Sequence, residues 1–439
     1  MNRLLKLPGV VCWLVLLTAF AAAQTTPREA TMKELDAIVG DAQYVNFGED
    51  SHFMVGVHQF VSESFRHLAE TKKFRVFVFE SAWGIEDAFA DFMKSDRTTV
   101  TPEESFFLNA FNSKAIVEML VWIRDWNRQH PNDQIRIAGY QPEQPVTDFN
   151  ALWKFLGEPA ELKTKAAVCR AGTGEFKTNI EFISSTSKRR RGGQPTYTTE
   201  ERAACNQALD AIASAVEQKK ATAPRNNYLE ATAHIKSLRT YLNTLTWSLD
   251  QSLLNKNPSQ AEQKAMQKKI YEEGDKTRFE IFEILRQTRY ASKKIYFWMH
   301  NWHAMKYAPE VDAFGRDESE ASMPAGTISL GTRMAQAYGS RLIVIGNIVP
   351  KAVCKNPICT APAPPRADLL ETKFAEHFGK GSALVNLRKP TAADRQLPLA
   401  VAGSLYADIN QGHFSKVILK RQFDAIYYLS ETTATFEQK

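Results

Sequence analysis

YVNFGEDSH, residues 44–52, is a strand-like apolar run that ends in a polar cluster. Two later stretches have the same form, namely RVFVFE at 75–80 and KIYFWMHNWH at 294–303. In open α/β sheets, ligands bind outside the carboxyl ends of the strands, where residues distant in sequence meet. The three stretches therefore predict one pocket at the carboxyl edge of a sheet, lined by carboxylates and imidazoles.

The alternation of predicted elements indicates the fold class. Amphipathic helices separate the early strands, and Ala115–Gln129 is the clearest of them. Such alternation is typical of βαβ units. Strand-like runs vanish between 150 and 291, where apolar residues recur at three and four. The predicted strands are 43–48, 75–80, 135–140, 294–299, 341–346, 382–387 and 424–429. We therefore expect an α/β fold with a mainly parallel sheet flanked by helices and a large helical insertion.

The predicted elements divide the chain into four segments. Residues 1–23 are a predicted signal peptide, 28–149 the first half of the α/β core, 150–291 the helical insertion and 292–439 the second half of the core. We expect four or more helices in the insertion, with breaks near 189–198 and 255–258.

The first residues are typical of an export signal. Arg3 and Lys6 precede an apolar run at 10–20, and three alanines at 21–23 offer a cleavage site. The run is shorter than the roughly 20 residues that span a bilayer, so we expect no stable membrane span after cleavage. The predicted location is periplasmic or secreted, with an uncleaved anchor as the alternative.

Export would make disulfides possible. Removal of Cys12 leaves Cys169, Cys205, Cys354 and Cys359, an even number. The most economical pairing joins Cys169 to Cys205 and Cys354 to Cys359. Four cysteines allow three connectivities, and free buried thiols are a further alternative.

The net charge of the chain argues against a nucleic-acid partner and excludes little else. The net charge is +6, of which the predicted signal supplies two, and the pI is about 8.9. This bias is too mild for a nucleic-acid footprint. The dense basic run at 188–191 is interpreted as a solvated loop, with an anionic surface partner as the alternative.

Several common active-site signatures are absent from the sequence, among them G-x-S-x-G, H-E-x-x-H, the P-loop and the dinucleotide fingerprint. Ser51 is adjacent to His52, but neighbours on an extended backbone point to opposite sides. We therefore expect water, and not Ser51, to be the attacking group.

His52 is the candidate general base, because the pKa of a free imidazole is near 6.5. Glu49 or Glu80 could orient its ring, or one carboxyl with a raised pKa could protonate the leaving group. A carboxylate directly after an apolar strand, as at Glu80, needs partners that offset its desolvation. The alternatives are an ordinary loop histidine at His52 and a structural carboxylate at Glu80.

His300 and His303 form an H-x-x-H pair just beyond a predicted strand. This spacing suits either a metal ion or the stabilisation of an oxyanion. A polar strand-to-loop junction without a catalytic role is the alternative. The remaining histidines are interpreted as surface or packing residues: His58, His67, His130, His234, His377 and His413. Of these, His58 is the only one near enough to His52 in sequence to matter.

In this order, the clusters resemble the erythromycin esterase-like family. The resemblance rests on Gly48-Glu49-Asp50-Ser51-His52, on Glu80, on the helix end with Trp122, Arg124 and Asn127, and on His300-Asn301-Trp302-His303. It covers about 44–141 and 294–349, whereas the insertion matches only in position and character.

The resemblance implies hydrolysis of a small-molecule ester or lactone by activated water, without a cofactor; the family's type case is opening of a macrolide ring. The implied catalytic residues are His52, Glu49, Glu80, His300 and His303, and the implied substrate-binding residues are Asn301 and Ser51.

The chain departs from the family pattern around the expected pocket. Phe53 replaces a small residue, Gly56 a glutamate, and Gln141 an aspartate, while an expected arginine–aspartate pair reads Gly274-Asp275. Three hypotheses therefore stand: a metal-independent esterase, a metallohydrolase that uses His52, His300, His303 and a carboxylate, and a ligand-binding protein without catalysis.

Overall fold

The computed structural model describes residues 27–254, 259–307, 313–314, 321–323, 326–350, 352–353, 369–397, 406–410 and 413–433. The predicted signal peptide, the break at 255–258 and the predicted pair Cys354 and Cys359 lie outside these residues.

The centre of the fold is a seven-stranded sheet. The strands of the described residues are β1 (Tyr44–Glu49), β2 (Phe74–Phe79), β3 (Arg136–Ala138), β4 (Lys294–His300), β5 (Ala313–Phe314), β6 (Ala321–Met323), β7 (Leu342–Ile348), β8 (Ala352–Val353), β9 (Ser382–Asn386), β10 (Tyr406–Asn410), β11 (His413–Lys416), β12 (Ala425–Leu429) and β13 (Thr432–Thr433). The order in the main sheet is β3-β2-β4-β1-β7-β12-β9. Every neighbouring pair is parallel except β12 with β9. The predicted α/β class with a mainly parallel sheet is confirmed.

Helices cover both faces of this sheet and fill the segment between β3 and β4. They are α1 (Pro27–Val39), α2 (Val55–Lys72), α3 (Ile85–Ala88), α4 (Ala90–Lys94), α5 (Pro102–Leu108), α6 (Lys114–Gln129), α7 (Pro145–Leu156), α8 (Ala160–Ala166), α9 (Asn179–Arg191), α10 (Thr199–Gln218), α11 (Arg225–Thr240), α12 (Thr246–Leu254), α13 (Gln260–Thr288), α14 (Asn301–Ala304), α15 (Leu330–Tyr338), α16 (Leu370–Phe378) and α17 (Leu419–Gln422).

The central strands are apolar on both faces because helices cover both faces. In β4, Ile295 and Phe297 face one core cluster, and Tyr296 and Trp298 face the other. Successive side chains of a strand point to opposite sides, so one strand contributes to both clusters. The burial of this sheet fixes its register and therefore the positions of the residues at its carboxyl edge.

The seven predicted strands occur within two residues of their predicted ends, although β3 has only three residues. After β2 the chain forms two short helices, α3 and α4, that are interrupted at Phe89, whose ring is fully buried. Helix α5 was not predicted, although Thr101 and Glu104 form a capping box at its start.

The helices between β3 and β4 have a core of their own, distinct from the two clusters on the sheet. The disulfide Cys169–Cys205 ties α10 to the turn after α8, which confirms that predicted pair. The basic run at 188–191 is not a loop, because it forms the last turn of α9, where cations interact favourably with the helix dipole. The division into domains at residues 149 and 291 stays a prediction.

Among the described residues no single helix is long and apolar enough to cross a membrane; one bent pair, Pro102–Phe111 with Lys114–Gln129 at 118°, would suffice by length and composition alone.

Candidate active site

The three polar clusters of the sequence meet at the carboxyl edge of the sheet. β1 and β4 are parallel neighbours, and Glu49 lies opposite His300 in their register. The backbone N–H of Glu80 donates to the carbonyl of Trp298, which brings the end of β2 to the same place. The predicted convergence of strand ends is therefore what the structure shows.

Gly48 allows the first cluster to lie so close to β4. A Cβ at this position would be 2.6 Å from Oδ1 of Asn301 and 2.9 Å from the Cβ of Ala304. Only glycine leaves room for α14 to pass over the end of β1 at this distance. The glycine of the first motif is thus a packing requirement of the site.

Glu49 and His52 form a hydrogen-bonded pair. Nδ1 of His52 lies 2.7 Å from Oε1 of Glu49, whose side chain is fully buried. Burial raises the pKa of Glu49 to about 7, against the opposing effect of His52. Burial lowers the pKa of His52, but the hydrogen bond to Glu49 and the charges of Glu80 and Glu49 outweigh it, so the net shift is upward. The hydrogen bond between the two side chains therefore favours the ionised form of both, because it lowers the pKa of Glu49 and raises that of His52.

The ring of His52 is held between two other rings. Its centroid is 3.5 Å from that of His300, with 28° between the planes, and the edge contact with Phe111 has a centroid distance of 4.9 Å. About 17 % of the His52 side chain is exposed, whereas Glu49 is not exposed at all. His52 is therefore the member of the pair that a substrate can reach.

Glu80 is fixed by groups from three elements. Its Oε2 accepts from the backbone N–H of His300 at 2.9 Å, and its Oε1 accepts from Nε2 of Gln141 at 3.3 Å. Nε2 of His303 is 3.5 Å from the same Oε1. These partners offset the desolvation of a carboxylate that directly follows a buried strand.

Three of these residues form a possible metal centre. His52, Glu80 and His300 can each present one ligand atom, and these atoms lie within 4.8 Å of one another. Two imidazoles and one carboxylate are a donor set that zinc and several other divalent metals accept. The donor set thus fits a metal, and no other cluster of this kind occurs in the described part of the chain.

His303 lies next to Glu80, and its catalytic role stays a prediction. It is buried, and its Nδ1 is 2.9 Å from Oδ2 of Asp275 on α13. Asp275 also accepts from Arg278 at 2.6 Å and from the backbone N–H of Leu330 at 2.8 Å. Burial opposes ionisation of Asp275, but the charges and hydrogen bonds of His303 and Arg278 hold its pKa below the usual range. His303 therefore connects the insertion to Glu80.

A family model for erythromycin esterase matches residues 69–432. The chain belongs to the erythromycin esterase family. The matched segment contains Glu80, His300 and His303, whereas the cluster at 48–52 precedes it. Membership in this family indicates a hydrolase. No curated protein matches the sequence.

Three solved structures share the fold of this family member at low sequence identity. One is a Bacillus cereus protein, with 16 % identity, a TM-score of 0.61 and coverage of 92 % of both chains. Another is a succinoglycan biosynthesis protein, with 15 % identity, a TM-score of 0.63 and coverage of 92 % of this chain and 91 % of the other. A mutant of the erythromycin esterase EreC in its open conformation has 15 % identity, a TM-score of 0.64 and coverage of 91 % and 93 %. At these identities the likeness concerns the fold alone.

One predicted site residue, Asn301, has hydrogen-bond partners within the fold of this erythromycin esterase family member. Asn301 was expected to bind substrate, but its Nδ2 donates to the carbonyl of Asn347 at 2.9 Å and its Oδ1 accepts from the N–H of Asn347 at 3.1 Å. The side chain is buried, and both amide atoms already have partners in the fold. It joins β4 to β7, and its substrate contact stays a prediction. Ser51 is buried beside His52, and its substrate contact stays a prediction.

His58, interpreted from the sequence as a surface or packing residue, makes contacts that the sequence did not predict. His58 is fully buried on α2, its Nε2 is 2.5 Å from the carbonyl oxygen of His52, and its Nδ1 is 2.8 Å from Oγ of Ser113. It therefore holds the backbone of the candidate base. Its place on an otherwise apolar helix face six residues after His52 was the available signal.

The departures from the family pattern have local explanations. Gln141 donates to Glu80, and its Oε1 lies 3.4 Å from Nη2 of Arg278. Asp275 forms an ion pair with Arg278, one helical turn later in the chain. At Gly56 a Cβ would be 2.6 Å from Cδ2 of Leu429, so a larger residue there would require the Leu429 side chain to shift. Phe53 is beside the ring of His52, with a centroid distance of 6.4 Å.

Proposed function

We propose that this chain hydrolyses a small-molecule ester or lactone with a water molecule activated by His52. The observation that carries the proposal is the 2.7 Å hydrogen bond between His52 and the buried Glu49. A buried carboxylate that orients an accessible imidazole is the arrangement of a general base. Membership in the erythromycin esterase family supports the same reaction class.

The first step transfers a proton from water to His52. With the proton of Nδ1 directed at Glu49, the lone pair of Nε2 is available to accept a proton from water. The oxygen of that water attacks the carbonyl carbon, and the carbonyl oxygen takes up the negative charge. Glu49 and Glu80 both favour the imidazolium that forms, because each carboxylate raises the pKa of His52.

The second step expels the alcohol. The tetrahedral intermediate carries an oxyanion, which His300 stabilises from its position against the face of His52. The C–O bond of the ester breaks, the alkoxide takes the proton that His52 received, and the product leaves as a carboxylic acid, which then gives its proton to solvent. Glu80 holds the backbone of His300 in place throughout. His303 acts as a positioning residue that links Asp275 to Glu80.

Purified protein and the variant His52→Ala would test the proposal on a panel of macrolide lactones and simple esters. His130→Ala is the matched control, because His130 precedes β3 and lies at the opposite edge of the sheet. We expect turnover of at least one ester by the parent and by the control, and none by folded His52→Ala. Unchanged turnover in His52→Ala would refute the mechanism, and silence of the parent would favour a ligand-binding role.

A metal-dependent hydrolase is the second candidate, favoured by the geometry of His52, Glu80 and His300. A divalent ion held there would polarise the carbonyl or lower the pKa of a bound water. Metal analysis of the purified protein and assays after chelation separate the two candidates. Activity that persists after removal of all metal supports the general-base proposal, and activity that returns only with a stoichiometric ion supports the second.

We propose in addition that the chain is exported to the periplasm or secreted. The charged start, the apolar run at 10–20 and the alanines at 21–23 support this location. The disulfide Cys169–Cys205 supports it independently, because such bonds persist in oxidising compartments. The mass of the protein recovered from cell fractions tests it: a mature chain that begins near Gln24 outside the cytoplasm is expected, and an intact cytoplasmic chain would contradict it.

A further inference from the structure

A second concave site lies in the helical insertion, formed by α7, the start of α11 and the turn that precedes α11. Its volume is about 540 Å³, and its lining contains Lys154, Phe155, Lys219, Ala231 and His234 but none of the residues at the carboxyl edge of the sheet. This volume is within the range of roughly 300–1,000 Å³ that is usual for small-molecule pockets.

The charges that face this pocket are mainly positive. Lys154 and Lys219 make no ion pair with any residue that the structure describes. The one carboxylate in the lining, Glu230, accepts two hydrogen bonds of 2.8 Å each from Arg289, which balances its charge. The pocket therefore presents two cations whose charge is not balanced locally. An anionic ligand is the chemistry that this surface favours.

A buried hydrogen-bond network holds His234 in the pocket wall. Nδ1 of His234 is 2.8 Å from Oδ1 of Asp148, which is fully buried and also accepts from Oγ of Ser237 at 2.5 Å. The ring of Trp83 packs against His234 with a centroid distance of 4.3 Å. Nε2 of His234 has no hydrogen bond to a described residue, so an oriented polar group remains for a ligand. The proposed hydrolase mechanism does not use this network.

The rest of the wall is apolar. The ring of Phe155 and the methyl group of Ala231 contribute carbon surface, and the ammonium group of Lys219 lies 5.9 Å from the centroid of Phe155. Apolar surface beside cations favours a ligand that has an apolar body as well as a negative charge.

We infer that this pocket binds a small organic carboxylate with an apolar body about the size of a benzene ring. The carboxylate contacts Lys154 and Lys219, and the apolar body packs against Phe155 and Ala231. The inference does not rest on the proposed hydrolase function, because the two sites share no residue.

Titration calorimetry of the intact protein at low ionic strength tests the inference, with benzoate as the probe and benzamide as its neutral isostere. We expect benzoate to bind and benzamide to bind more weakly by about tenfold or more. In the double variant Lys154→Gln, Lys219→Gln, benzoate affinity should fall about tenfold, as two partly exposed charge contacts would predict. Lys177→Gln is the matched control, since Lys177 is an exposed lysine of the same insertion outside the pocket.

The variant His52→Ala distinguishes benzoate binding in this pocket from benzoate binding in the candidate active site. Unchanged affinity in His52→Ala together with loss in the lysine variant supports the second pocket. Loss in His52→Ala with no effect of the lysine variant would assign the binding to the active site and overturn the inference. Equal affinities for benzoate and benzamide, or no binding of benzoate by the parent protein at 20 mM (roughly the weakest affinity of a specific small anion site), would overturn it as well.

Discussion

The imidazole rings of His52 and His300 stack with their centroids 3.5 Å apart. The parallel pairing of β1 with β4 produces this contact, because it sets Glu49 opposite His300 in the sheet. A substrate carbonyl that receives water from His52 must therefore also lie close to His300. This relationship is the reason for assigning the oxyanion contact to His300.

Replacement of His300 separates a chemical role from a packing role. His300→Phe keeps a flat ring against His52 but removes both nitrogens, and His300→Gln keeps a donor without the ring. We expect kcat to fall about a hundredfold in His300→Phe with little change in KM, as loss of one oxyanion donor predicts. Steady-state kinetics on the best ester of the panel provide the measurement. Full activity of His300→Phe would show that the ring serves packing only.

Glu49→Gln should change the pH profile of the reaction. The hydrogen bond to Glu49 raises the pKa of His52, so its loss as a charged partner lowers that pKa. The activity requires neutral His52, and the acidic limb of kcat/KM should therefore move to lower pH. We also expect a loss of at least about tenfold in the maximum rate, because the imidazolium is less stabilised. If the acidic limb of Glu49→Gln stays at the same pH as that of the parent, the hydrogen bond to Glu49 is not what raises the pKa of His52.

His58 should make the protein sensitive to mild acid. Burial lowers the pKa of His58 to about 3, from an ordinary value of 6.5. Between these values the unfolded chain binds a proton that the folded chain does not, so stability falls as the pH decreases from 6.5. The effect is about 2 kcal/mol between pH 7 and pH 5. His58→Gln keeps a donor for the carbonyl of His52, and its urea-measured stability should lack this loss; parallel pH dependence of both proteins would refute the assignment.

Asp275→Asn should destabilise the fold and disturb His303. The carboxylate of Asp275 binds Arg278, His303 and the N–H of Leu330 at once. Removal of one charge from a buried ion pair typically costs about 3 kcal/mol. The pKa of Asp275 is depressed, so this stabilisation is present above pH 3.8 and is lost as the pH falls through the lower value of the folded state. Thermal unfolding at pH 7 and at pH 3 measures both parts, and an equal midpoint for parent and variant at pH 7 would contradict the prediction.

Loss of the disulfide should affect the insertion. Cys169 and Cys205 are separated by 36 residues, and a cross-link of this length stabilises by about 4 kcal/mol in the chain-entropy description. We expect Cys169→Ser with Cys205→Ser to lower the melting temperature of the protein. The same decrease should follow when the parent is reduced, and the double variant should not respond to reductant. A reductant effect of equal size in the variant would point to the cysteines that the structure does not describe.

The sequence was a good predictor of the sheet and of the residues at its edge. The runs before Glu49, Glu80 and His300 were mainly apolar, and such runs in a parallel sheet are buried on both faces. The rule that ligands bind at the carboxyl ends of strands then placed the three clusters together without knowledge of the strand order. Asn301 shows what this reasoning leaves open, because a polar residue at a strand end can also bind the neighbouring strand.

Local patterns were sufficient for the fold class, the helical insertion and the identity of the candidate base, because strand and helix periodicity depend on residues near one another in the chain. The partners of those residues required the packed molecule. His58 supports the backbone of His52, and Asp275 reaches His303 from a helix of the insertion. Such contacts depend on the order of the strands and on the path of α13. Both are set by the burial of the whole sheet and not by local sequence. The pKa values near neutrality depend on that burial too, since no local pattern states how much water a carboxylate such as Glu49 loses.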